Sequence, residues 1–315
     1  MSRGTAPARP RRPDQRGFAL TAVLLVLALL GAVAAEFAFS MRLEAGAVRA
    51  YKESITATHL AEAALAQAAR EIVADSAWAL VAEDGDLTFY TQQRLALPRL
   101  PRKDVPFGPG HFSYRLSDEE ARINLNTSPR DRVDNLLRTL GLDKSDRDVI
   151  VDSLLDWKDP GEEHHLNGAE SDDYYLKLPV PYRSRNGNLE SVRELLQIRG
   201  VTHALFSGTE DTPGLVDLVT VKTRGQVNIN TASPAVLRTV GLSDAEISEI
   251  LQTRRDGPYP QHRFGRGLVM QTTTFRIEAE GILDGQVMAR LTAVVQKRSE
   301  GPGGSLAILE WSDTR

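Results

Sequence analysis

The chain has 315 residues, of which 41% are hydrophobic and 25% are charged, a composition typical of a folded globular protein with room for two modest domains. Its formal net charge of −4 gives no overall attraction to nucleic acid or to anionic lipid. Because the chain has no cysteine, it can form neither a disulfide framework nor a thiolate metal site.

The first forty residues address the chain to a membrane. Residues 1–17 carry five arginines against one acid, and the eighteen residues Phe18–Ala35 carry no charge. A basic segment followed by an apolar one is typical of an export signal or a membrane-spanning helix, with the arginines on the cytoplasmic side. Three outcomes are open: cleavage after Gly17 keeps the apolar helix, cleavage after Ala34 removes it, and no cleavage leaves a plain anchor.

A single long helix is predicted from Phe18 to about Leu80. No proline falls between Asp14 and Leu97, and apolar residues recur at helical spacing through the charged stretch that follows the apolar segment. A cleaved export signal is usually separated from the mature domain by turn residues. The unbroken helix therefore favours an outcome in which the apolar segment is retained.

The tripeptide Arg16-Gly17-Phe18 lies at the border of the basic and apolar segments. It resembles the processing site of type IV prepilins and type II secretion pseudopilins, in which a prepilin peptidase cuts after the glycine and methylates the new N-terminal phenylalanine. Most members of those families have glutamate at the fifth mature position, where this chain has Ala22. An unpaired carboxylate in hydrocarbon is costly, so its absence suits a subunit at the end of a fibre, and it suits a plain anchor equally well.

Alternating residues predict strands on both sides of a central helical region. Two short strands are expected at Phe112–Leu116 and Ala121–Leu125, and residues 272–298 predict a hairpin that turns at Asp284-Gly285. A last strand is predicted over residues 305–311. The segregated helices and strands indicate an α+β fold.

The central region contains an internal repeat. Residues 122–160 match residues 226–260, and each copy has Asn-x-Asn-Thr, a Ser-Pro helix start, a Gly-Leu turn and a second helix. This pattern predicts a small helical domain and also looks like a helix-hairpin-helix, which grips DNA backbone in other proteins. A membrane-tethered DNA-binding protein of the competence type is therefore the alternative function. The second glycine of a DNA-gripping hairpin is missing in both copies, and the first copy is acidic. The second copy has Arg238, Arg254 and Arg255, with Arg263 just beyond it, and is the less implausible DNA binder.

The most distinctive segment is the acidic stretch 156–176, DWKDPGEEHHLNGAESDDYYL. Many acidic runs are solvated loops, but hard oxygen ligands on a bent loop suit Ca²⁺. The predicted ligands are Asp156, Asp159, Glu163, Glu170, Asp172 and Asp173. His164 and His165 raise zinc as an alternative, although two adjacent histidines cannot easily face one ion.

The leader, Ala22, the helical insertion and the NGAESDDYYL segment together resemble the minor pseudopilin K family of type II secretion (general secretion pathway protein K). The resemblance implies an α+β fold in which a pilin-like long N-terminal helix packs on an antiparallel β-sheet and a large helical domain is inserted in the sheet. It divides the chain into a leader (1–17), the pilin helix with the first part of the β-domain (18–120), the inserted helical domain with the acidic calcium loop (121–264) and the completing strands (265–315).

The same resemblance implies a mechanical function. Members of the family cap the tip of the pseudopilus with the minor pseudopilins I and J, initiate or limit its assembly, and help to export folded proteins across the outer membrane. Further implied partners are the prepilin peptidase, the inner-membrane assembly platform, and exported substrates or the outer-membrane secretin, but not nucleic acid. The protein would cross the inner membrane once with its globular domain in the periplasm. No catalytic site is expected, because the six histidines are scattered and Asp118, Glu119 and Glu120 are better explained as a turn.

Overall fold

The computed structural model of the protein describes residues 16–74, 76–210, 212–259, 261, 264–265, 267–298 and 305–314, and in Arg16, Gly17 and Thr314 it describes the backbone alone. The chain divides between Ile55 and Thr56 into two compact units. The expected leader, apart from its last two residues, lies outside the described residues.

The predicted N-terminal helix is confirmed, and its end is corrected. Helix α1 (Arg16–Val73) has 58 residues and ends at Val73 rather than near Leu80. The residues beyond it form strand β1 (Trp78–Val81), which pairs antiparallel with β2 (Leu87–Tyr90). Aromatic and branched residues favour this extended pairing. Gly85, with φ of +80°, supplies the turn between the two strands.

The remaining elements follow in chain order: β3 (Val105–Phe107), β4 (Gly110–Asp118), β5 (Ile123–Asn124), α2 (Arg130–Thr139), α3 (Lys144–Lys158), α4 (His203–Ser207), α5 (Leu215–Leu218), β6 (Val219–Thr220), β7 (Val227–Asn228), α6 (Pro234–Thr239), α7 (Asp244–Asp256), β8 (Leu268–Val269), β9 (Thr274–Leu283), β10 (Gln286–Arg298) and β11 (Ser305–Thr314). Short 3₁₀ turns at 119–121, 175–177 and 192–197 complete the described secondary structure.

Five strands form one antiparallel sheet in the order β11-β10-β9-β4-β3. The predicted hairpin is confirmed, and both Asp284 and Gly285 adopt the positive φ that a type I′ turn requires. The predicted strand at Phe112–Leu116 lies inside β4, and the predicted C-terminal strand lies inside β11.

The strand predicted at Ala121–Leu125 is wrong for most of its length. The chain makes a 3₁₀ turn over Glu119–Ala121, capped by the Asp118 carboxylate, which accepts a hydrogen bond from the backbone N–H of Glu120. Only β5 follows, and it pairs in parallel with β6 of the helical region, not with the main sheet. A pattern of alternating side chains does not say which strand is the partner, and here the partner is remote.

Helix α1 packs on one face of the sheet through small residues of its C-terminal part. Ala57, Ala61, Ala64 and Ala68 are fully buried, so the helix axis lies close to the strands. At Gly281 of β9 the approach leaves no room for a side chain. The core of this layer includes Leu60, Ile72, Leu87, Phe112, Tyr114, Leu116, Phe275, Ile277, Leu291 and Val295.

The helical region has its own core, formed by residues between Ile123 and Leu268, and two matching helix pairs within it confirm the repeat. Pair α2–α3 is joined by a turn at Gly141 and pair α6–α7 by a turn at Gly241, both with positive φ. Helices α2 and α6 pack against each other. The helical domain boundaries proposed from the sequence, 121 and 264, lie close to the ends of this core and stay a prediction.

The Asn-x-Asn-Thr motif makes equivalent hydrogen bonds in both copies of the repeat. Asn124 and Asn228 each accept a hydrogen bond from the backbone N–H of the asparagine two residues later. That second asparagine then bridges to a distant segment: Asn126 bonds both backbone groups of Leu189, and Asn230 bonds the backbone of Tyr259 and Met270. The motif therefore ties each repeat to a segment that is distant in sequence.

Candidate functional site

The first half of α1 is apolar and exposed along its length. Phe18 is 81% exposed, and every residue described from Phe18 to Tyr51 is exposed. Among the described residues, α1 is the one helix long and apolar enough to cross a membrane by length and composition. The bond between Gly17 and Phe18 lies in its first turn. An apolar surface of this kind is suited to lipid or to other helices.

The second candidate site is the acidic loop that follows α3. Asp156 lies in the last turn of that helix and is fully buried. Its Oδ1 accepts a hydrogen bond from the backbone N–H of His165 (3.0 Å) and lies 2.5 Å from His165 Nδ1. Its Oδ2 is buried and accepts no hydrogen bond from the described residues. A buried carboxylate oxygen without a partner is costly, and a cation would remove that cost.

Glu170 presents a second oxygen of the same kind. Its side chain is buried, and Oε2 accepts hydrogen bonds from the Ser184 hydroxyl (2.9 Å) and the Ser171 N–H (3.3 Å). Its Oε1 is buried and accepts no hydrogen bond from the residues described. Burial raises the pKa of Glu170, the Ser184 hydrogen bond opposes the shift, and the charges of Asp156 and Asp159 add to it. The three carboxylates are thus close enough to repel one another.

The structure brings some of the predicted ligands together and leaves others apart. Ligand atoms of Asp156, Asp159 and His165 lie within 4.8 Å of one another. Asp173 lies at the edge of the loop, where its Oδ1 accepts a hydrogen bond from the Glu170 N–H (2.9 Å).

Two predicted ligands face outward. The Asp172 side chain is 75% exposed and lies 3.9 Å from Arg183, and Glu163 is also exposed. The membership of these residues in a cation site stays a prediction. His165 is one of the two histidines that raised zinc as the alternative ion. Its neighbour His164 points instead towards Asp173, at 3.7 Å, so the two histidines do not share one position.

Close packing fixes the loop around Asp156. An added Cβ at Gly168 would lie 1.7 Å from Asp156 Oδ2, so only glycine fits at that position. Arg199 donates a hydrogen bond to the Gly168 carbonyl (3.0 Å) and stacks over the Tyr174 ring. Trp157, the residue after Asp156, is buried edge-on against Tyr175. The loop is therefore joined to the core of the helical region.

Two of the four arginines noted in and beside the second repeat make internal contacts. Arg254 donates hydrogen bonds to the carbonyls of Ile229 and Ala232, and burial lowers its pKa to about 10. Arg238 pairs with Asp244 at 2.7 Å. Arg255 is exposed, and Arg263 lies outside the described residues. These contacts give no observation in favour of phosphate binding.

A membrane-length apolar helix whose C-terminal part packs on an antiparallel sheet is the architecture of a pilin-like protein, here with a large helical insertion between two adjacent strands. The expected α+β fold class is confirmed.

Comparison with known proteins points to one member of that class. Residues 114–210 match the family model described as type II secretion system (T2SS), protein K. The chain is 27% identical over 263 residues to a putative type II secretion system protein K of Escherichia coli (strain K12). The matched region covers 78% of this chain and 76% of that protein. The chain is 28% identical over 213 residues to the type II secretion system protein K of Pectobacterium carotovorum subsp. carotovorum, which covers 62% and 61%.

A chain from the crystal structure of the GspK-GspI-GspJ complex of the enterotoxigenic Escherichia coli type 2 secretion system has a similar fold. The TM-score is 0.59 at 17% sequence identity, and the match covers 86% of this chain and 99% of that one. The family model and the curated relatives confirm the resemblance to type II secretion system protein K, and the structural match shows the shared fold.

Proposed function

We propose that this protein is a minor pseudopilin that caps the tip of a type II secretion pseudopilus, initiates or limits pseudopilus assembly, and helps to export folded proteins across the outer membrane. The observation that carries the proposal is the combination of an exposed apolar helix with a bulky helical insertion between β4 and β9. The helix would pack with partner helices in the fibre, and the insertion would block further subunits. The role is mechanical and not catalytic.

The partners of the tip would be the minor pseudopilins I and J. The similar fold in the GspK-GspI-GspJ complex supports this choice. Ala22 supports a terminal position, because a subunit without a neighbour on one side has no use for an intramembrane carboxylate. The tip would then meet exported substrates or the outer-membrane secretin, while the inner-membrane assembly platform acts at the base.

Processing would create the mature N-terminus. A prepilin peptidase would cut between Gly17 and Phe18 and methylate the amine of Phe18. The arginines of the leader would remain in the cytoplasm, so α1 would cross the inner membrane once and the globular domain would lie in the periplasm. Cleavage at this bond preserves α1, whereas cleavage after Ala34 would remove its apolar part.

The acidic loop would bind calcium. Asp156 Oδ2 and Glu170 Oε1 are buried acceptors without a partner among the described residues, and Asp159 adds a third carboxylate. Carboxylate oxygens are the ligands that Ca²⁺ prefers, and the ion would neutralise their mutual repulsion. Asp173, Asp172 and Glu163 are the further acids that could complete the shell. His165 is better suited to zinc, but a single imidazole among carboxylates makes a weak zinc site.

The N-terminus of the mature protein is the first test. Intact mass and terminal sequencing would be compared between cells with and without a prepilin peptidase. We expect methylated Phe18 only when the peptidase is present. A start at Ala35, or an intact Met1 in both strains, would refute processing as a pseudopilin.

The tip role needs a separate test in a strain that lacks this protein. We expect the strain to lose secretion of its type II substrates and to regain it when the full chain is supplied, with I and J co-purifying with the supplied chain. Normal secretion without the protein would refute the proposal. So would rescue by a chain that cannot associate with I and J.

A further inference from the structure

The sheet layer and the helical region are joined where the chain leaves and re-enters the sheet. Among the described residues, the buried apolar side chains of these two parts form separate clusters, so no shared hydrophobic core joins them there. The insertion leaves the sheet at the end of β4 and returns at the start of β9, where Asp118 lies opposite Phe275. The ends of two neighbouring strands are therefore the junction between the sheet and the insertion.

Three consecutive carboxyl groups are buried at this junction. Asp118 is 2%, Glu119 0% and Glu120 6% exposed, and the turn that they form directly continues β4. Burial, with Glu120 alongside, raises the pKa of Asp118. Buried carboxylates are costly unless hydrogen bonds or opposite charges surround them. The hydrogen-bond partners of these three carboxyl groups therefore show which segments the turn connects.

Asp118 holds the second repeat and the returning chain. Its Oδ2 accepts hydrogen bonds from the Asn228 amide (2.8 Å), the Thr231 hydroxyl (2.5 Å) and the Thr272 hydroxyl (2.7 Å). Asn228 and Thr231 belong to the helical region, and Thr272 leads into β9. One oxygen of Asp118 thus joins the end of β4 to two segments that are remote from it in sequence, 228–231 and Thr272.

Glu119 and Glu120 hold other segments. Glu119 pairs with Arg122 at 2.5 Å and with Arg276 of β9 at 2.7 Å, and it accepts a hydrogen bond from the Thr220 hydroxyl of β6. Glu120 accepts hydrogen bonds from the Thr273 hydroxyl (2.7 Å) and from the backbone N–H groups of Thr273 (3.2 Å) and Thr274 (2.9 Å).

We propose that the Asp118-Glu119-Glu120 turn is a lock that fixes the inserted helical region on the sheet, so that the two cores move as one body. Hydrogen bonds to a buried carboxyl group are directional, and breaking one leaves a buried polar atom without a partner, whereas an apolar contact would allow sliding. A second contact supports the lock at the sheet edge, where Glu310 of β11 lies 3.5 Å from Lys222 and 3.3 Å from Ser191. The inference goes beyond the proposed function and does not depend on it, because its readouts are structural.

The absence of cysteine makes the test direct. Spin labels would be attached to the full chain in detergent at Ala245→Cys on α7 and Gln286→Cys on β10, both exposed positions. Distances would be measured by pulsed electron paramagnetic resonance in the parent protein and in the variant Asp118→Asn, Glu119→Gln, Glu120→Gln. Glu278→Gln, which changes an exposed acid on β9, is the matched control.

We expect a narrow distance distribution in the parent and the control, and a distribution about twofold or more broader in the triple variant with unchanged circular dichroism. We also expect the amides of Thr273 and Thr274 to exchange hydrogen about tenfold faster or more in Glu120→Gln, because they lose their acceptor charge. A narrow distribution in a folded triple variant would refute the lock.

If the triple variant does not fold, Thr231→Val and Thr272→Val replace it, since each removes one donor to Asp118 and leaves the carboxylates in place. Broadening in these two variants supports the lock, and distributions as narrow as that of the parent overturn it. Neither result depends on secretion, so failure of the lock and failure of the tip proposal are distinguishable.

Discussion

The contact between α1 and the sheet at Gly281 allows a quantitative prediction. An added Cβ at Gly281 would lie 1.9 Å from the carbonyl oxygen of Ala57. An ordinary carbon–oxygen contact is ~3.4 Å, so the substitution Gly281→Ala would displace the helix backbone by about 1.5 Å. The clash is with main chain, which cannot rotate away as a side chain can. The displacement also disturbs the packing of the buried alanines of α1, among them Ala61 and Ala64.

Overpacking of this kind costs about 2–3 kcal/mol in free energy of unfolding. For a unit of this size that cost corresponds to a decrease in Tm of roughly 4–12 °C. The measurement is thermal unfolding of the full chain in detergent, followed by near-UV circular dichroism. Gly46→Ala is the matched control, because Gly46 lies in α1 with nothing within 4 Å of the added Cβ. We expect that control to leave Tm unchanged or slightly raised. If Gly281→Ala melted together with the parent protein, α1 would not be seated on β9 as described.

Two further predictions concern the acidic loop and a buried tyrosine. Calcium at about 100 times its Kd should stabilise the protein by ~2.7 kcal/mol and raise Tm by several degrees. The rise in Tm should disappear in the double variant Asp156→Asn, Glu170→Gln and in Gly168→Ala. It should persist in the control Asp131→Asn, on the first turn of α2. If calcium does not raise the Tm of the parent protein, the loop is not a calcium site. Tyr114 donates a hydrogen bond to Glu71 (3.0 Å), and burial raises its pKa to about 12. Because the pKa of Tyr114 is raised in the folded state, its contribution to the free energy of unfolding is fully present below the ordinary pKa of ~10 and is lost between about pH 10 and 12. Urea midpoints measured across that range should fall less steeply for Tyr114→Phe than for the parent or for Tyr51→Phe, and equal slopes would contradict the assignment.

Local patterns were enough to predict much of the fold. The apolar segment of α1, the β9–β10 hairpin with its Asp284-Gly285 turn, and the repeated helix pairs all depend on neighbours within a few residues. Such features follow from periodicity and turn chemistry, which the sequence displays directly. The acidic loop was recognisable for the same reason, since its carboxylates are clustered along the chain.

Other features depend on partners that are remote in sequence. Residues 78–81 are strand and not helix because 87–90 supply the pairing, and β5 is short because its partner is β6. Within the acidic loop, folding buries Asp156 and Glu170 and leaves Glu163 and Asp172 exposed, although all four are similar acids in the sequence.

The Asp118-Glu119-Glu120 turn shows most clearly the difference between what local sequence predicts and what remote partners decide. A turn at these three acids was predicted from the sequence, and the Asp118 carboxylate caps it. Only the tertiary structure decided that the turn is buried and holds Thr220, Asn228, Thr231 and the start of β9. The physical reason is that the cost of burying a charge is offset by donors more than 100 residues away, and no local pattern of residues records where those donors will lie.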